Sequence, residues 1–307
     1  MGLPKNTLYR SNTLVYLDST AFNRVVVFNR IYLTLAILDI NNVECRYSMD
    51  FTTNPELRLM NTDTKNPAQY KFMDYSSKKY YTVIRDSKII TFDSGESTLR
   101  RKYLESTLAH VLNIKGVPCV VISTLDPTVT KLFLNKIPQN IRSKILNIGL
   151  FHTYLRVQEQ FRSILEELCI SKEYRPYMQM FFSALRSIQT DLLTELSRLG
   201  ILVLLDRSMI SNYLYVKALT QHQKGNWDWS ELYNLDEFRP YFSFYVHAKD
   251  LPGSFKLGSM YDSEEGINDS LRTMLPFVKK KVPLVELDSV NTFEQNMEII
   301  RSTLSSI

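Results

Sequence analysis

Residues 177–208 read YMQMFFSALRSIQTDLLTELSRLGILVLLDRS, and the fold class can be inferred from this segment. Its first part, 177–199, has the apolar spacing of a helix and ends at Gly200, a residue that commonly follows the last helical turn. The run 201–205 is short and wholly apolar, as is typical of a strand buried on both faces. Asp206 and Arg207 follow directly. Two charged residues are therefore predicted at the carboxyl end of a buried strand, where open α/β sheets bind ligands.

Strand and helix patterns alternate on both sides of this stretch. Strands are predicted at 88–92, 118–123, 241–247 and 282–287, with helices from about 96 to 115 and from 292 to 304. This alternation predicts an α/β domain over 86–307, in which a mostly parallel sheet carries helices on both faces, with a variable insert at about 128–172. Residues 1–85 are predicted to form a small α/β appendage: strand 13–17, helix 21–40, strand 43–49 and a hairpin over 69–85.

Composition restricts the possible classes of function but does not identify one. The chain has 307 residues, 44% of them apolar, with a net charge of +5, which favours anionic partners such as nucleotides, nucleic acid or an acidic protein. Its apolar runs are too short to span a bilayer and its start lacks a signal pattern, so we expect an intracellular, cytoplasmic protein without a membrane segment. The three cysteines and four histidines lack metal-ligand spacing, so no metal site is expected.

Four short segments occur in an order that resembles the thymidylate kinase family. The helix pattern carries Phe181, Phe182 and Arg186, about twenty residues before Asp206-Arg207-Ser208. The family has a Leu-Phe-x-x-x-Arg helix before a strand that ends in Asp-Arg-Tyr or Asp-Arg-His, with a serine shortly after. Here the tyrosine is absent and Ser211 is the following serine.

The other two likenesses flank these. Residues 124–128, TLDPT, resemble the family's Thr-Arg-Glu-Pro-Gly segment, with Leu125 in place of the arginine and Asp126 in place of the glutamate. Residues 285–289, VELDS, followed by Phe293, resemble the family's closing strand and last helix. The resemblance covers about 220 residues and implies a P-loop kinase-like fold. It also implies a homodimer, and divergence of this degree suits a viral genome.

The resemblance further implies a site for a dTMP-like nucleotide. Phe181 or Phe182 would stack on the base, Arg186 would contact the nucleotide and Arg207 its phosphate. The remaining predicted substrate-binding residues are Asp126, Asp206 and Ser211. The alternatives are that both phenylalanines are core residues and that Arg186 lies on a solvated helix face.

The expected phosphate-binding loop departs from its pattern. P-loop kinases use G-x-x-x-x-G-K-[ST], whose backbone N–H groups cradle phosphates and whose hydroxyl binds magnesium. Residues 95–102 here read GESTLRRK. Gly95 is kept, while Arg100, Arg101 and Lys102 replace the second glycine, the lysine and the hydroxyl residue. Arg100 adds a side chain where close backbone approach is needed, and Lys102 brings positive charge to the magnesium position.

The region that corresponds to the family's lid, 249–268, contains no arginine. The favoured interpretation is therefore a thymidylate-kinase-like pseudokinase that keeps the fold as a nucleotide-binding or scaffold module. An alternative is an active dTMP or deoxynucleoside monophosphate kinase, in which Asp93, Arg101 and Arg207 are catalytic, Asp93 or Asp126 binds magnesium or acts as base, and ATP and Mg²⁺ are cofactors. A second alternative is a nucleic-acid-binding protein that uses the basic loop, with residues 279–281, KKK, as a further basic cluster.

Overall fold

The computed structural model describes residues 9–10, 13–17, 24–29, 34–39, 44–50, 88–94, 97–170, 175–222, 240–247 and 267–306. For the strands within residues 9–50, only the backbone is described. Two separate five-stranded sheets are formed, one by the amino-terminal strands and one by the later strands, and no strand belongs to both.

The amino-terminal sheet is an antiparallel meander in which each strand pairs with the next along the chain. Its strands are β1 (Tyr9–Arg10), β2 (Thr13–Leu17), β3 (Arg24–Asn29), β4 (Thr34–Asp39) and β5 (Glu44–Asp50). The strands predicted at 13–17 and 43–49 are confirmed as β2 and β5. The hairpin predicted over 69–85 lies outside the described residues.

The helix predicted over 21–40 is wrong, because β3 and β4 occupy this stretch. Three consecutive valines, Val25, Val26 and Val27, are β-branched residues that fit a strand better than a helix. Val25 lies opposite Leu38 and Val27 opposite Ala36 in the ladder. The apolar spacing that suggested one long helix therefore belongs to two paired strands, and the described part of this unit is all β.

The second sheet is parallel and matches the predicted α/β architecture. Its strands are β6 (Ile89–Asp93), β7 (Cys119–Ser123), β8 (Leu202–Asp206), β9 (Phe242–Val246) and β10 (Leu284–Leu287). Their order across the sheet is β10-β9-β6-β8-β7. Every residue of β6, β7 and β8 is buried, so both faces of the sheet are covered. The prediction of a mostly parallel sheet with helices on both faces is confirmed.

Helices follow the strands as the alternation predicted. They are α1 (Ser97–Asn113), α2 (Pro127–Leu134), α3 (Gln139–Leu146), α4 (Gly149–Ile170), α5 (Arg175–Arg198), α6 (Met209–His222), α7 (Ile267–Lys279) and α8 (Phe293–Thr303). The insert predicted at about 128–172 consists mainly of α2, α3 and α4. No helix among the described residues is long and apolar enough to cross a membrane.

The strand order creates a switch point at β6. The chain runs from β6 to β7 and back to β8 on one side, and β9 and β10 then extend the other side. Ligands of open α/β sheets bind beyond the carboxyl ends of the strands at such a point. Asp93 at the end of β6 and Asp206 at the end of β8 lie there, together with Ser123 at the end of β7.

Candidate functional site

The connection from β6 to α1 is short. β6 ends at Asp93 and α1 begins at Ser97, so three residues separate strand from helix. Positions 97–102 of the predicted phosphate loop are therefore helical, and Gly95 lies outside the described residues. A phosphate loop needs a longer run of non-helical backbone to direct successive N–H groups at one phosphate chain. Residues from Ser97 onward, which such a loop would need in a non-helical conformation, belong to α1 instead.

Arg100 is buried at this end of the sheet, with 2% of its surface exposed. Its Nε lies 2.5 Å from Asp206 Oδ1, and one terminal guanidinium nitrogen donates to the carbonyl oxygen and the hydroxyl of Ser94 at 3.2 and 3.0 Å. A guanidinium thus sits between the ends of β6 and β8. This is the place where the fold class positions its ligand.

Asp206 is held ionised by these contacts. Burial is the largest single influence and raises the pKa of its carboxyl group, but the charge and hydrogen bond of Arg100, together with the charges of Arg207 and Arg101, outweigh burial and lower the pKa overall. Its second oxygen accepts a hydrogen bond from Ser123 Oγ at 3.1 Å. Both carboxylate oxygens therefore have protein partners.

Arg101 and Lys102 lie away from this centre. The Arg101 guanidinium is 40% exposed and meets Asp126 Oδ2 at 3.1 Å, while Arg162 approaches the other oxygen of Asp126 at 3.6 Å. Asp126 is also the N-cap of α2, because its Oδ1 accepts from the Thr128 backbone N–H at 3.0 Å. Lys102 is exposed. The structure brings Arg100 to the strand ends, whereas the sequence pattern had placed Arg101 at the lysine position.

Asp93 holds the start of α6. Its carboxylate accepts five hydrogen bonds from described residues: from the backbone N–H and hydroxyl of Ser208, from the backbone N–H and hydroxyl of Ser211, and from the Thr91 hydroxyl. A buried carboxylate at a helix N-terminus satisfies N–H groups that the helix cannot satisfy itself. The catalytic role of Asp93 and the substrate role of Ser211 stay predictions; their contacts here hold β6 to α6.

Arg186 on α5 is the second buried arginine, with 3% of its surface exposed. Its terminal nitrogens donate to the backbone carbonyl oxygens of Arg207 and Ser208 at 3.0 and 2.7 Å, and to Asn212 Oδ1 at 2.8 Å. It also donates to the hydroxyl of Thr124. The alternative of a solvated helix face is wrong, because Arg186 is enclosed by β7, β8 and α6.

Polar side chains of α4 and α5 complete this enclosure. The Gln189 side-chain amide donates to Thr124 Oγ1 at 3.0 Å and to the Tyr154 hydroxyl oxygen at 2.7 Å, and its oxygen accepts from Arg186 at 2.8 Å. Burial raises the pKa of Tyr154, so the phenol stays protonated and donates to the Ser123 carbonyl oxygen at 3.2 Å. The network ties α4 and α5 to the end of β7.

Arg207 has φ of 65°, the only non-glycine residue with positive φ among those described. Such a conformation costs about 1–3 kcal/mol and persists where the surroundings hold it. Here the Arg207 N–H donates to the Phe92 carbonyl oxygen at 2.9 Å, and its own carbonyl oxygen accepts from Thr124 Oγ1 at 2.6 Å and from Arg186. A held backbone outlier beside two carboxylates, at a switch point, is typical of a functional position.

The outcome differs between the two predicted base-stacking residues. Phe182 belongs to the hydrophobic core and is buried. The side chain of Phe181 lies outside the described set. The core alternative is thus correct for Phe182, and stacking by Phe181 stays a prediction.

The resemblance implies ATP and magnesium, and the described residues at the strand ends do not fit them. The Asp206 oxygens face Arg100 and Ser123, and an exposed lysine, Lys102, stands at the expected hydroxyl position. Magnesium prefers carboxylate oxygens and water in octahedral geometry, and a guanidinium supplies no ligand. Within the described residues, no group of three His, Cys, Asp or Glu side chains could hold a metal ion.

Four residues of the site were missed by sequence reasoning. They are Ser123, Thr124, Gln189 and Asn212. Helical spacing offered a signal for two of them, since Gln189 follows Arg186 by one turn and Asn212 follows Ser208 by one turn. The positions of Ser123 and Thr124 at the end of an apolar strand offered a signal for the others.

No protein-family model matches the chain, and no curated protein does. Two solved thymidylate kinases are similar to part of it. The Candida albicans enzyme aligns with a TM-score of 0.41 and 15% identity, over 72% of this chain and 92% of that chain. The Ehrlichia chaffeensis enzyme aligns with a TM-score of 0.34 and 14% identity, over 71% of this chain and 98% of that chain. Similarity at this level assigns neither activity nor ligand.

Proposed function

We propose that this chain is a thymidylate-kinase-like protein that has lost phosphoryl transfer and acts as a binding or scaffold module. The observation that carries the proposal is the buried ion pair between Arg100 and Asp206. It places a protein cation where a kinase of this fold would hold the phosphates and metal of its donor nucleotide.

The chemistry of phosphoryl transfer explains why this pair is decisive. Catalysis rests on positioning and on neutralising charge around the transferred group, and one positioned arginine alone can be worth about 10³-fold in rate. Here Arg100 neutralises Asp206 instead, and α1 begins too early for a phosphate loop. Arg101, the cation of the alternative active-kinase interpretation, contacts Asp126 near the surface. That alternative is therefore disfavoured.

Arg207 is the residue that we propose for the phosphate of a dTMP-like nucleotide. It is half-buried at the switch point, and its backbone is held by Thr124, Phe92 and Arg186. Arg186, which the resemblance assigned to the nucleotide, instead holds this backbone. The proposed cleft is thus a monophosphate site beside a closed donor site.

A coupled kinase assay with dTMP, ATP and magnesium, paired with titration calorimetry for each nucleotide, tests the proposal. We expect no turnover, no heat from ATP with magnesium, and dTMP binding that Arg207→Ala abolishes. Arg198→Ala, at an exposed position at the end of α5, is the matched control and should bind as the native chain does. Turnover would overturn the loss of catalysis. Absence of dTMP binding would overturn the monophosphate cleft and leave the scaffold role.

A further inference from the structure

The carboxyl-terminal helix α8 packs against α1. At the start of α8 the rings of Phe293 and Tyr103 stack with centroids 4.8 Å apart, and Asn296 Nδ2 donates to the Tyr103 hydroxyl oxygen at 3.0 Å. Towards the other end of α8, Ile300 and Leu304 are buried. An aromatic stack and a hydrogen bond therefore hold the start of this helix, whereas apolar residues hold its end.

His110 lies in the last turn of α1 and is partly buried. Its ring nitrogen Nε2 is fully buried and has no hydrogen-bond partner among the described residues. The charged groups that act on the ring are Arg301 and Glu298 of α8 and Lys115 at the end of α1. Two of these three groups are cations, so the ring lies in an environment of net positive charge.

Both cations are tied to the end of α8. Lys115 Nζ donates to the carbonyl oxygen of Ser305 at 3.3 Å, in the turn that follows α8. The two terminal nitrogens of Arg301 lie 3.3 Å from Glu298 Oε2 and 3.7 Å from Glu294 Oε2. The positive environment of the His110 ring therefore depends on the packing of α8 against α1.

A neutral imidazole suits this environment better than an imidazolium. With its proton on Nδ1, the neutral ring presents Nε2 as an acceptor without charge. Protonation turns Nε2 into a charged donor that lacks an acceptor and lies beside Arg301 and Lys115, which costs more free energy. Burial, and then the charges of Arg301 and Lys115, accordingly lower the pKa of His110, against an opposing effect of Glu298.

We propose that His110 is an acid-sensitive switch that loosens the end of α8. The closed contact between α1 and residues 298–306 requires the neutral ring, whereas an opened contact, in which water reaches Nε2, accepts the proton. The stack of Tyr103 and Phe293 stays in place. The contribution to stability is complete above the pKa of a solvated histidine, about 6.5, and is lost as the pH falls through the lower pKa of the closed state.

Hydrogen exchange of the backbone amides of residues 298–306 in the full chain, at pH of about 8 and about 5.5, tests the proposal, since histidine titrates between these values. After correction for intrinsic exchange rates, protection should fall in acid, by at most about tenfold for each pH unit between the closed and the solvated pKa. An NMR titration of the His110 ring in the native chain measures the closed pKa without any variant. A value at or above about 6.5 would overturn the proposal, because the carboxyl end of α1, which favours a cation, would then outweigh burial and the two cations.

Two histidine variants separate this switch from a general effect of acid. His110→Gln keeps a polar side chain but cannot take up a proton, so residues 298–306 should be equally protected at both pH values. His152→Gln is the matched control, because His152 is exposed and its Nε2 lies 2.7 Å from the Leu146 carbonyl oxygen; the acid response should persist in this variant. Arg301→Gln removes one cation and should reduce the response. An unchanged response in His110→Gln, its loss in His152→Gln, or no acid response in the native chain would each refute the switch.

Discussion

Among the described residues two arginines are buried, Arg100 and Arg186; both contact the segment Asp206-Arg207-Ser208, and they differ in their partners. Arg100 faces the carboxylate of Asp206, one charge against another. Arg186 donates to uncharged oxygens, including the carbonyl oxygens of Arg207 and Ser208. A buried ion pair adds little net stability, yet losing one member leaves an uncompensated charge. Where the partners are neutral acceptors, the loss of the arginine is spread over several hydrogen bonds.

This difference in partners indicates different roles for the two arginines. Arg100 neutralises a carboxylate at the switch point, and in the function proposed above it closes the place of a donor nucleotide. Arg186 holds the strained backbone of Arg207 and links α5 to α6 through Asn212. In that proposal one arginine removes a ligand site, whereas the other preserves the backbone conformation of Arg207. Substitutions of Arg100 and of Arg186 should therefore differ in the size of the stability loss, in its pH dependence and in the variants that rescue it.

Arg100→Met should have the largest effect on stability. It leaves Asp206 buried without its counter-ion, which costs about 3–5 kcal/mol in the free energy of unfolding. Urea unfolding at neutral pH measures this loss. The double variant Arg100→Met/Asp206→Leu removes both charges and should recover most of it, because a buried pair replaced by apolar residues is often neutral. A double variant as unstable as the single one would contradict a role based on charge.

Acidic pH should reduce the loss of stability caused by Arg100→Met. In the native chain the lowered pKa of Asp206 contributes stability above the unfolded value of about 4, and this is lost as pH falls through the folded pKa. In Arg100→Met, burial without the guanidinium raises the pKa instead, so the carboxyl group protonates as pH falls towards about 4 and its penalty disappears. Urea midpoints at pH of about 7 and about 4.5 should show the smaller difference between variant and native chain in acid.

Arg186→Lys should cost less, about 2–3 kcal/mol. Lysine keeps the charge, but its single nitrogen cannot reach Thr124, Ser208 and Asn212 together as the guanidinium fork does. Urea unfolding measures the loss. The cost should change little between neutral and acid pH, since the Thr124 hydroxyl, the Ser208 carbonyl and the Asn212 amide do not titrate. A pH dependence like that of Arg100→Met would show that the two arginines do not differ as their contacts indicate.

Asp93→Asn should cost about 1–2 kcal/mol. The amide replaces an acceptor oxygen with a donor facing the Ser208 and Ser211 groups, and it removes negative charge from the start of α6. Thermal unfolding measures the loss. Ser211→Ala, which removes a single hydroxyl donor to Asp93, is the graded control and should cost less. A fully stable Asp93→Asn chain would argue that the carboxylate is kept for chemistry.

Much of the fold followed from local sequence pattern. The apolar run that became β8 and the helix before it were predictable, because length, Gly200 and the terminal charges all agree. The middle of the amino-terminal unit was not predicted correctly, since the apolar residues of β3 and β4 also fit the spacing of one helix. Three adjacent valines were the signal in favour of strands.

The candidate site was predictable as a location but not as a set of contacts. Asp206 and Arg207 were placed correctly at a strand end, because strand direction alone decides that. Whether Arg100 or Arg101 faces the sheet depends on where α1 begins, since each helical residue turns the side-chain direction by about 100°. The loop-to-helix boundary was read from a motif for a longer loop, and so the inward cation was assigned to the neighbouring residue.

Arg101→Ala should have the smallest effect, below about 1 kcal/mol, and it tests that boundary directly. Arg101 and Asp126 are both partly exposed, and exposed ion pairs contribute little. Arg162 also remains near Asp126 after the change. Urea unfolding of Arg101→Ala beside Arg100→Met compares adjacent positions on one helix. If Arg101→Ala were the costlier change, α1 would present Arg101 rather than Arg100 to Asp206, and the proposed closure of the donor site would rest on Arg101.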